Sequence, residues 1–226
     1  YTWNSTENKW DSTAAPAANT FLAKFPAVEN GTANNAEFKL YDMAFTTTPT
    51  SNSMYSVNNA ITSCKAYLKV DGVDAMTYNL AISYDSKGIP TSVSTSLAVD
   101  VFSFNYDMSY SASKMKSDLS IKHNSDILMA QGFDFEGELT EAKAKEIETY
   151  YNDETTDHEQ SSKVGEFVKA AIVYYQVMDI KIIGSVDVAT ITKDIDALGK
   201  ESTAKQTADV INKNCSLYGI FASSGT

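Results

Sequence analysis

The fold is decided by residues 64–84, which read CKAYLKVDGVDAMTYNLAISY. On either side of the central DGVD, apolar side chains occupy every second position, and the positions between them are mostly polar. Strict alternation predicts strands with one dry face and one solvated face, and an Asp-Gly pair between two such runs predicts a hairpin turn. The sequence therefore predicts two antiparallel strands, at residues 64–70 and 76–84.

The same alternation continues along the first two thirds of the chain. It predicts a small N-terminal hairpin or edge piece around Trp3 and Trp10, and strands at residues 21–25, 38–45, 115–123 and 127–136. Between residues 93 and 110, the apolar positions change from odd to even numbers at Val101 and Phe102. We interpret this change of phase as one long strand with a β-bulge or a bend, as found where a sheet curls into a partial barrel.

The pattern becomes mixed after residue 139. Thr140 is placed to cap a short helix, and Asp187 heads a helix that Gly199 ends. A further helix is expected at residues 202–212, followed by a strand at residues 215–221. Residues 170–183 are rich in Val, Ile and Tyr and predict a central strand, although a helix starting near Phe167 also fits.

These elements predict an α+β fold in which β-structure dominates. We expect a long antiparallel meander that forms a curved or half-barrel sheet, with two to three helices mostly in the C-terminal third. We also expect residues 1–226 to form a single domain, mainly strands over 1–138 and mixed helix and strand over 139–226.

The charge of the chain disfavours nucleic acid as a partner. Its 18 basic residues are all lysines, its 29 acidic residues give a net charge of -11, and arginine is absent. Arginine is the side chain that grips phosphate in a bidentate fork, and phosphate neutralisation supplies most of the affinity for nucleic acid. We therefore expect no nucleic-acid partner.

No motif commits the chain to a reaction, a cofactor or a metal. There is no nucleophile elbow, phosphate-binding loop or zinc motif, so we expect no cofactor, no metal and no enzymatic activity. Cys64 and Cys215 are too far apart in sequence for a local zinc site, and both free thiols and a disulfide remain open. The acidic residues 153–159 lack the turn of a calcium loop and are expected to face solvent.

The aromatic side chains of the central strands are the first candidate site. They would line a lipophile cavity or stack on sugar rings; the alternative is that they pack the sheet against the C-terminal helices. The candidate ligand-binding residues are Tyr78, Tyr84, Phe102, Phe104, Tyr106 and Tyr110.

A carboxylate cluster is the second candidate. Asp134, Glu136 and Glu138 fall on one face of a strand, and convergence with His123 in a cleft would give a carboxylate-dependent hydrolase. Alternation with Phe133 is equally typical of an exposed strand face.

The start of the chain suggests an exported protein. The first residue is Tyr1, the first methionine is Met43, and no stretch approaches the ~20 apolar residues needed to cross a bilayer. We expect a signal peptide or lipid anchor to lie upstream of Tyr1.

Several short motifs resemble one family. They are the Trp3 and Trp10 start, Phe25-Pro26-Ala27, Asn35-Ala36-Glu37-Phe38, Ile89-Pro90-Thr91, residues 177–181 and Ile211-Asn212-Lys213. Together they resemble cell-envelope lipoproteins of Bacteroidetes whose function is unassigned.

The resemblance implies an exported, lipid-anchored protein of the bacterial outer membrane or cell surface, with no catalytic residues to carry over. We accordingly expect a non-enzymatic binding or interaction module for a protein, a glycan or a lipophile. The alternatives are the hydrolase and a carrier of a lipophilic small molecule in a half-barrel cavity.

Overall fold

A computed structural model describes residues 1–14, 17–47, 59–152, 162–199 and 202–221. The strands of these ranges are β1 (Thr2–Asn4), β2 (Lys9–Asp11), β3 (Phe21–Phe25), β4 (Ala36–Thr46), β5 (Ala60–Val70), β6 (Val73–Tyr84), β7 (Pro90–Val99), β8 (Phe102–Tyr110), β9 (Lys114–His123), β10 (Asp126–Gly137), β11 (Val168–Val177), β12 (Ile180–Asp187) and β13 (Cys215–Phe221). The helices are α1 (Glu141–Asn152), α2 (Ser162–Phe167), α3 (Val188–Leu198) and α4 (Ala204–Asn214).

The described strands form one open sheet in the order β13-β12-β11-β10-β9-β8-β7-β6-β5-β4-β3-β1-β2. From β3 to β13 each strand lies beside the next one in the chain, which is a meander, while β1 joins β3 in parallel. The prediction of a β-dominant α+β fold with a long antiparallel meander and helices mostly in the C-terminal third is confirmed.

Backbone contacts divide the chain into two compact units. Unit 1 comprises Tyr1–Asp107 and Ile121–Ser125, and unit 2 comprises Met108–Ser120 and Asp126–Thr226. All four described helices belong to unit 2. The expectation of a single domain stays a prediction.

The hairpin of β5 and β6 organises unit 1 as the sequence predicts. Asp71 and Gly72 both have positive φ, 52° and 81°, which a two-residue type I′ turn requires. The turn pairs Val70 with Val73, and a register shift between Leu68 and Lys69 then places Leu68 opposite Met76 and Ala66 opposite Tyr78. Because opposed residues lie on the same face of the sheet, the apolar side chains of both strands share one face.

The prediction of one long bent strand over residues 93–110 is wrong. The chain reverses at Asp100 and Val101, with φ of 53° at Asp100, and forms the two neighbouring strands β7 and β8. A two-residue turn places Val99 opposite Phe102, so an odd position before the turn and an even position after it lie on the same face. The change of phase therefore marks a hairpin.

The interpretation of residues 170–183 as one central strand is also wrong, as is the alternative helix near Phe167. The segment contains most of β11 and the first part of β12, which are paired antiparallel around a turn at Met178 and Asp179. Met178 adopts a φ of 49° there without any glycine, asparagine or proline in the turn. Asp179 is the one turn-forming residue type in this reversal, and the positive φ falls on the methionine before it.

The predicted helix caps are confirmed in unit 2. The Thr140 hydroxyl accepts the backbone N–H of Lys143 at 3.1 Å, and the Asp187 carboxylate accepts that of Thr190 at 2.9 Å. Gly199 ends α3 with a φ of 72°. At α4, Thr203 and Gln206 form a reciprocal capping box that satisfies two otherwise unpaired N–H groups.

Burial is concentrated in small side chains. The buried apolar residues of the described chain are Ala23, Ala36, Ala60, Cys64, Ala66, Ala130 and Leu139. None of its large side chains is completely buried. Both cysteines are free thiols, with Cys64 buried and Cys215 exposed. The large apolar side chains are therefore only partly removed from water.

Two glycines in the strands of unit 2 give a matched pair of substitutions. A Cβ at Gly132 would lie 2.5 Å from Tyr174 Cε1 and 2.6 Å from the Ser117 carbonyl oxygen, whereas a Cβ at Gly184 meets nothing closer than 3.5 Å. We expect Gly132→Ala to lower the free energy of unfolding by about 1–3 kcal/mol, because a backbone carbonyl cannot move aside. Gly184→Ala is expected to be neutral or stabilising by about 0.5–1 kcal/mol. Denaturant titrations followed by circular dichroism measure both, and equal midpoints for the two variants would contradict the close contact.

Candidate functional site

The sheet of unit 1 has one apolar face and one polar face. Direct pairing in β3 to β7 puts on one face Phe21, Phe25, Phe38, Leu40, Ala66, Leu68, Met76, Tyr78, Leu80, Ile82, Val93, Leu97 and Val99. We call this set, with the β8 residues assigned to it below, the apolar face of unit 1. The opposite face carries Lys24, Glu37, Lys39, Lys65 and Lys69.

Four of the six predicted aromatic residues lie on the apolar face of unit 1. Ser94, in β7, lies on the polar face of unit 1, and its hydroxyl donates to Asp107 Oδ1 at 2.7 Å. Asp107 and the other odd-numbered residues of β8 therefore lie on the polar face as well. Phe102, Phe104 and Tyr106 therefore share the apolar face with Tyr78. Phe102 and Phe104 remain 42% and 39% exposed, so part of each ring is free to contact a ligand.

The other two predicted aromatic residues are held by their hydroxyl groups. Tyr84 donates to the Ile61 carbonyl at 3.0 Å, and Tyr110, which belongs to unit 2, donates to the Leu139 carbonyl at 2.5 Å. Both side chains thus have a structural contact that accounts for their position.

Unit 2 has an apolar face of its own, and it is more exposed. The registers of β10 to β13 put on one face Phe133, Phe135, Val173, Tyr175, Val177, Ile180, Ile182, Leu217 and Phe221. We call this set the apolar face of unit 2. Leu217 and Phe221, on β13, are 79% and 87% exposed, and every residue of β13 is exposed.

The sequence interpretation missed this second face for a physical reason. A run rich in Val and Ile is typical of a strand buried on both sides, and periodicity does not reveal whether a covering layer is present. In the structure the same run forms two strands whose side chains stay in water, with Ile180 57% exposed. The sequence offered one signal: the apolar run is long, whereas the amphipathic helices around it are short, so they have too little apolar surface to cover it.

The opposite face of unit 2 carries a polar network centred on Tyr174. Its hydroxyl donates to Asp118 Oδ1 at 2.7 Å, its ring passes over Gly132 in the paired strand, and Lys181 Nζ lies 4.1 Å from the ring centroid. Lys116 forms an ion pair with Asp118 at 3.0 Å. Burial and the bond to Asp118 raise the pKa of Tyr174 to about 12. Desolvation opposes ionisation of Asp118, but the bonds from Tyr174 and Lys116 outweigh it and lower its pKa.

Two of the three carboxylates of the predicted cluster form ion pairs with one lysine. Lys114 Nζ lies 3.0 Å from Asp134 Oδ2 and 3.1 Å from Glu136 Oε1, and its bonds to Asp134 and then Glu136 raise the pKa of Lys114. Glu138 is exposed. His123, in unit 1, is exposed and its ring lies 5.3 Å from that of Phe102. Asp134 Oδ1 is buried without a hydrogen-bond partner in the described chain.

A second tyrosine–carboxylate pair lies on the polar face of unit 1. Tyr67 donates to Glu37 at 2.5 Å, and Lys24 forms an ion pair with the same carboxylate at 3.2 Å. The hydrogen bond, with a contribution from burial, raises the pKa of Tyr67 to about 12. The same hydrogen bond and Lys24 lower the pKa of Glu37, although burial opposes them. The pair is a cross-strand contact of the kind that stabilises a sheet.

A metal site and a membrane-spanning helix would each require a particular arrangement of residues within the described ranges. They contain no group of three or more His, Cys, Asp or Glu side chains placed to hold a metal ion. None of the helices described has the length and hydropathy to cross a bilayer. The acidic residues 153–159 lie outside the described residues.

Comparison with known proteins adds no assignment: no family model, curated protein or solved structure matches the chain.

The Tyr174 network makes a pH-dependent prediction. Removing the hydroxyl with Tyr174→Phe should lower the free energy of unfolding by about 1–2 kcal/mol near neutral pH, since a bond to a charged acceptor is lost. A tyrosine pKa of about 12 in the folded protein, against about 10 in the unfolded chain, favours the folded state fully below pH 10. That contribution is lost as the pH rises from about 10 to about 12.

The matched control is Tyr175→Phe, because Tyr175 is the next residue and its side chain is exposed on the other face. It should change the free energy of unfolding by less than about 0.5 kcal/mol. Urea titrations from neutral to alkaline pH measure both variants. Equal losses in the two variants would show that the Asp118 contact contributes nothing.

Proposed function

We propose that the chain is a non-enzymatic binding module of the bacterial cell envelope that holds a lipophilic ligand against the apolar face of its sheet. The observation that carries the proposal is the separation of side chains: in each unit the directly paired positions of one face contain no lysine, aspartate or glutamate. Part of that uncharged surface is exposed, at Phe102 and Phe104 in unit 1 and at Leu217 and Phe221 in unit 2.

The extent of the exposed surface favours binding over simple packing. The largest apolar patch on a typical monomer covers about 300–600 Å² and is often functional. On the apolar face of unit 2, seven large side chains are each exposed by two fifths or more; they are Val173, Tyr175, Val177, Ile180, Ile182, Leu217 and Phe221. Exposing this much apolar surface to water is unfavourable in free energy, and an apolar ligand that covers the surface removes that unfavourable contribution.

The chemistry of the faces favours a lipophile over a protein surface. Protein interfaces combine an apolar centre with a rim of polar and charged groups. Here the charged groups are on the opposite face of the sheet, where they neutralise one another, as Lys114 does with Asp134 and Glu136. An acyl chain or another extended hydrocarbon needs no charged partner on the face that holds it.

The non-enzymatic part of the proposal rests on the same ion pairs. General acid–base work by two carboxylates needs one of them protonated and the other free to act on substrate. Asp134 and Glu136 instead share one ammonium group and lie on the charged face. The envelope location and the lipid anchor are supported by the resemblance to Bacteroidetes lipoproteins, and the negative charge without arginine disfavours nucleic acid.

The ligand proposal is tested by adding a charge to each apolar face. Wild-type protein is titrated with a fluorescent long-chain fatty acid, and the protein purified from its native host is examined by native mass spectrometry for a retained small molecule. We expect Phe104→Glu or Leu217→Glu to weaken binding about tenfold or more, because a carboxylate in contact with hydrocarbon loses its hydration. The face whose variant loses affinity is the one that holds the ligand.

The matched controls lie one residue away on the polar faces. Ser103→Glu and Tyr218→Glu add the same charge to the same strands and should leave the affinity within about twofold of wild type. Circular dichroism confirms that each variant is folded. The proposal is wrong if wild-type protein binds no fatty acid and carries no small molecule, or if both pairs of variants respond equally.

One observation favours a second candidate, an interaction module for another polypeptide. Strand β13 is the last strand in the described order, and its whole length is exposed. A strand with one free edge offers unpaired N–H and C=O groups to an incoming strand. A protein partner would protect the amides of β13 from hydrogen exchange, which a lipophile lying on the side chains would not do.

A further inference from the structure

A pocket in unit 1 lies beside the β1–β2 hairpin and shares only Phe25 with the apolar face of unit 1 on which the proposed function rests. It has a volume of about 420 Å³, within the range of about 300–1,000 Å³ usual for small-molecule sites. The β1–β2 hairpin supplies Trp3 and Asn8, and the end of β3 with the loop after it supplies Phe25, Pro26, Glu29 and Asn30.

One wall of the pocket is an ordered aromatic cluster. Trp3 is directly opposite Trp10 in the hairpin, and their rings meet edge to face with centroids 5.5 Å apart. The ring of Trp10 in turn lies 6.2 Å from that of Phe25. Asn34 Nδ2 donates to the Trp3 carbonyl at 2.8 Å, which ties the hairpin to the loop before β4. Trp3, Phe25 and Pro26 therefore present fixed apolar surface to the pocket.

The other wall is polar and makes no side-chain hydrogen bond or ion pair with the described part of the chain. Asn8, Glu29 and Asn30 are exposed, and none of these side chains forms a hydrogen bond or ion pair with the described residues. Asn8 and Asn30 adopt left-handed backbone conformations, with φ of 53° and 61°. The amides and the carboxylate are thus left free at the rim of the pocket.

The shape of the loop is set by close packing behind Asn30. The Gly31 N–H donates to the Val28 carbonyl at 3.1 Å, closing a tight turn. A Cβ at Gly31 would lie 2.9 Å from Pro26 Cβ and 3.0 Å from the Val28 carbonyl oxygen. The turn holds Glu29 and Asn30 next to the aromatic wall.

We propose that this pocket binds one or two neutral pyranose rings of an oligosaccharide. The C–H face of a sugar ring is electropositive and stacks on the negative face of an aromatic ring, as edge-on C–H groups do between aromatic side chains. The hydroxyl groups of a sugar both donate and accept, which matches the free amides of Asn8 and Asn30 and the carboxylate of Glu29. The charge of Glu29 excludes uronic and sialic acids by repulsion.

The two tryptophans make the test direct. Trp3 and Trp10 are the only tryptophans of the chain, and both belong to the aromatic cluster. Titration of the full chain with neutral disaccharides (maltose, cellobiose and lactose), up to about 10 mM, should shift or quench the intrinsic fluorescence with a saturable curve. Saturation-transfer NMR on the same samples should show the ring C–H protons of the sugar in contact with protein.

Three variants examine the polar wall. Glu29→Ala and Asn30→Gly should each weaken binding about five- to tenfold by removing hydrogen-bond groups, and glycine keeps the left-handed backbone at position 30. Glu29→Gln should retain the neutral sugars and also admit glucuronic acid, which wild-type protein rejects. The control Asn124→Gly, at another left-handed asparagine with φ of 54°, should leave the affinity unchanged.

Three results would overturn the assignment of this pocket to a neutral sugar. It fails if none of the neutral disaccharides alters the fluorescence or gives a saturation-transfer signal. It also fails if wild-type protein prefers the acidic sugar, or if Asn30→Gly weakens binding no more than Asn124→Gly does. Because the probe is a sugar and the variants lie outside both apolar faces, the fatty-acid titrations are a separate test with an independent outcome.

Discussion

The structure depends on the alternation of side chains between the two faces of a hydrogen-bonded sheet. Opposed residues must lie on the same face, so each turn has to return the chain with its apolar positions in step. The two-residue turn at Asp100 does so directly, and the turn at Asp71 does so together with the register shift between Leu68 and Lys69; both aspartates adopt positive φ. Within each unit the register keeps lysine, aspartate and glutamate off one face of the directly paired strands, and the candidate binding faces follow from that separation.

Different physical interactions operate on the two faces. On the charged face, ion pairs and tyrosine–carboxylate bonds such as Tyr67 with Glu37 connect neighbouring strands, and each is exposed enough to contribute modestly. On the apolar face of unit 1, small residues such as Ala36 and Ala66 are buried beneath larger neighbours that remain partly in water. The sheet is thus stabilised by its backbone pairing and by contacts within each face.

The sequence predicted those parts of the fold that depend on local rules. Alternation located most strands, the Asp71-Gly72 turn was recognisable because only a few residue types accept its backbone, and Asp187 with Gly199 bounded α3. The reversal at Met178 was only weakly signalled, since Asp179 is its one turn-forming residue and both flanking runs are apolar. Of the six aromatic residues proposed from the sequence, four lie on one face in the structure, and their role in binding stays a prediction. The exposure of Ile180 and Leu217 depends on whether another layer covers them, which no local pattern encodes.

The scarcity of completely buried large side chains has a thermal consequence. Unfolding a globular protein raises the heat capacity by about 12–15 cal/mol/K per residue, mainly because apolar surface becomes hydrated. Much of that surface is already hydrated here, with Phe221 87% exposed in the folded chain. The heat-capacity change per residue should therefore fall below the usual value, and the stability of the protein should vary with temperature along an unusually flat curve.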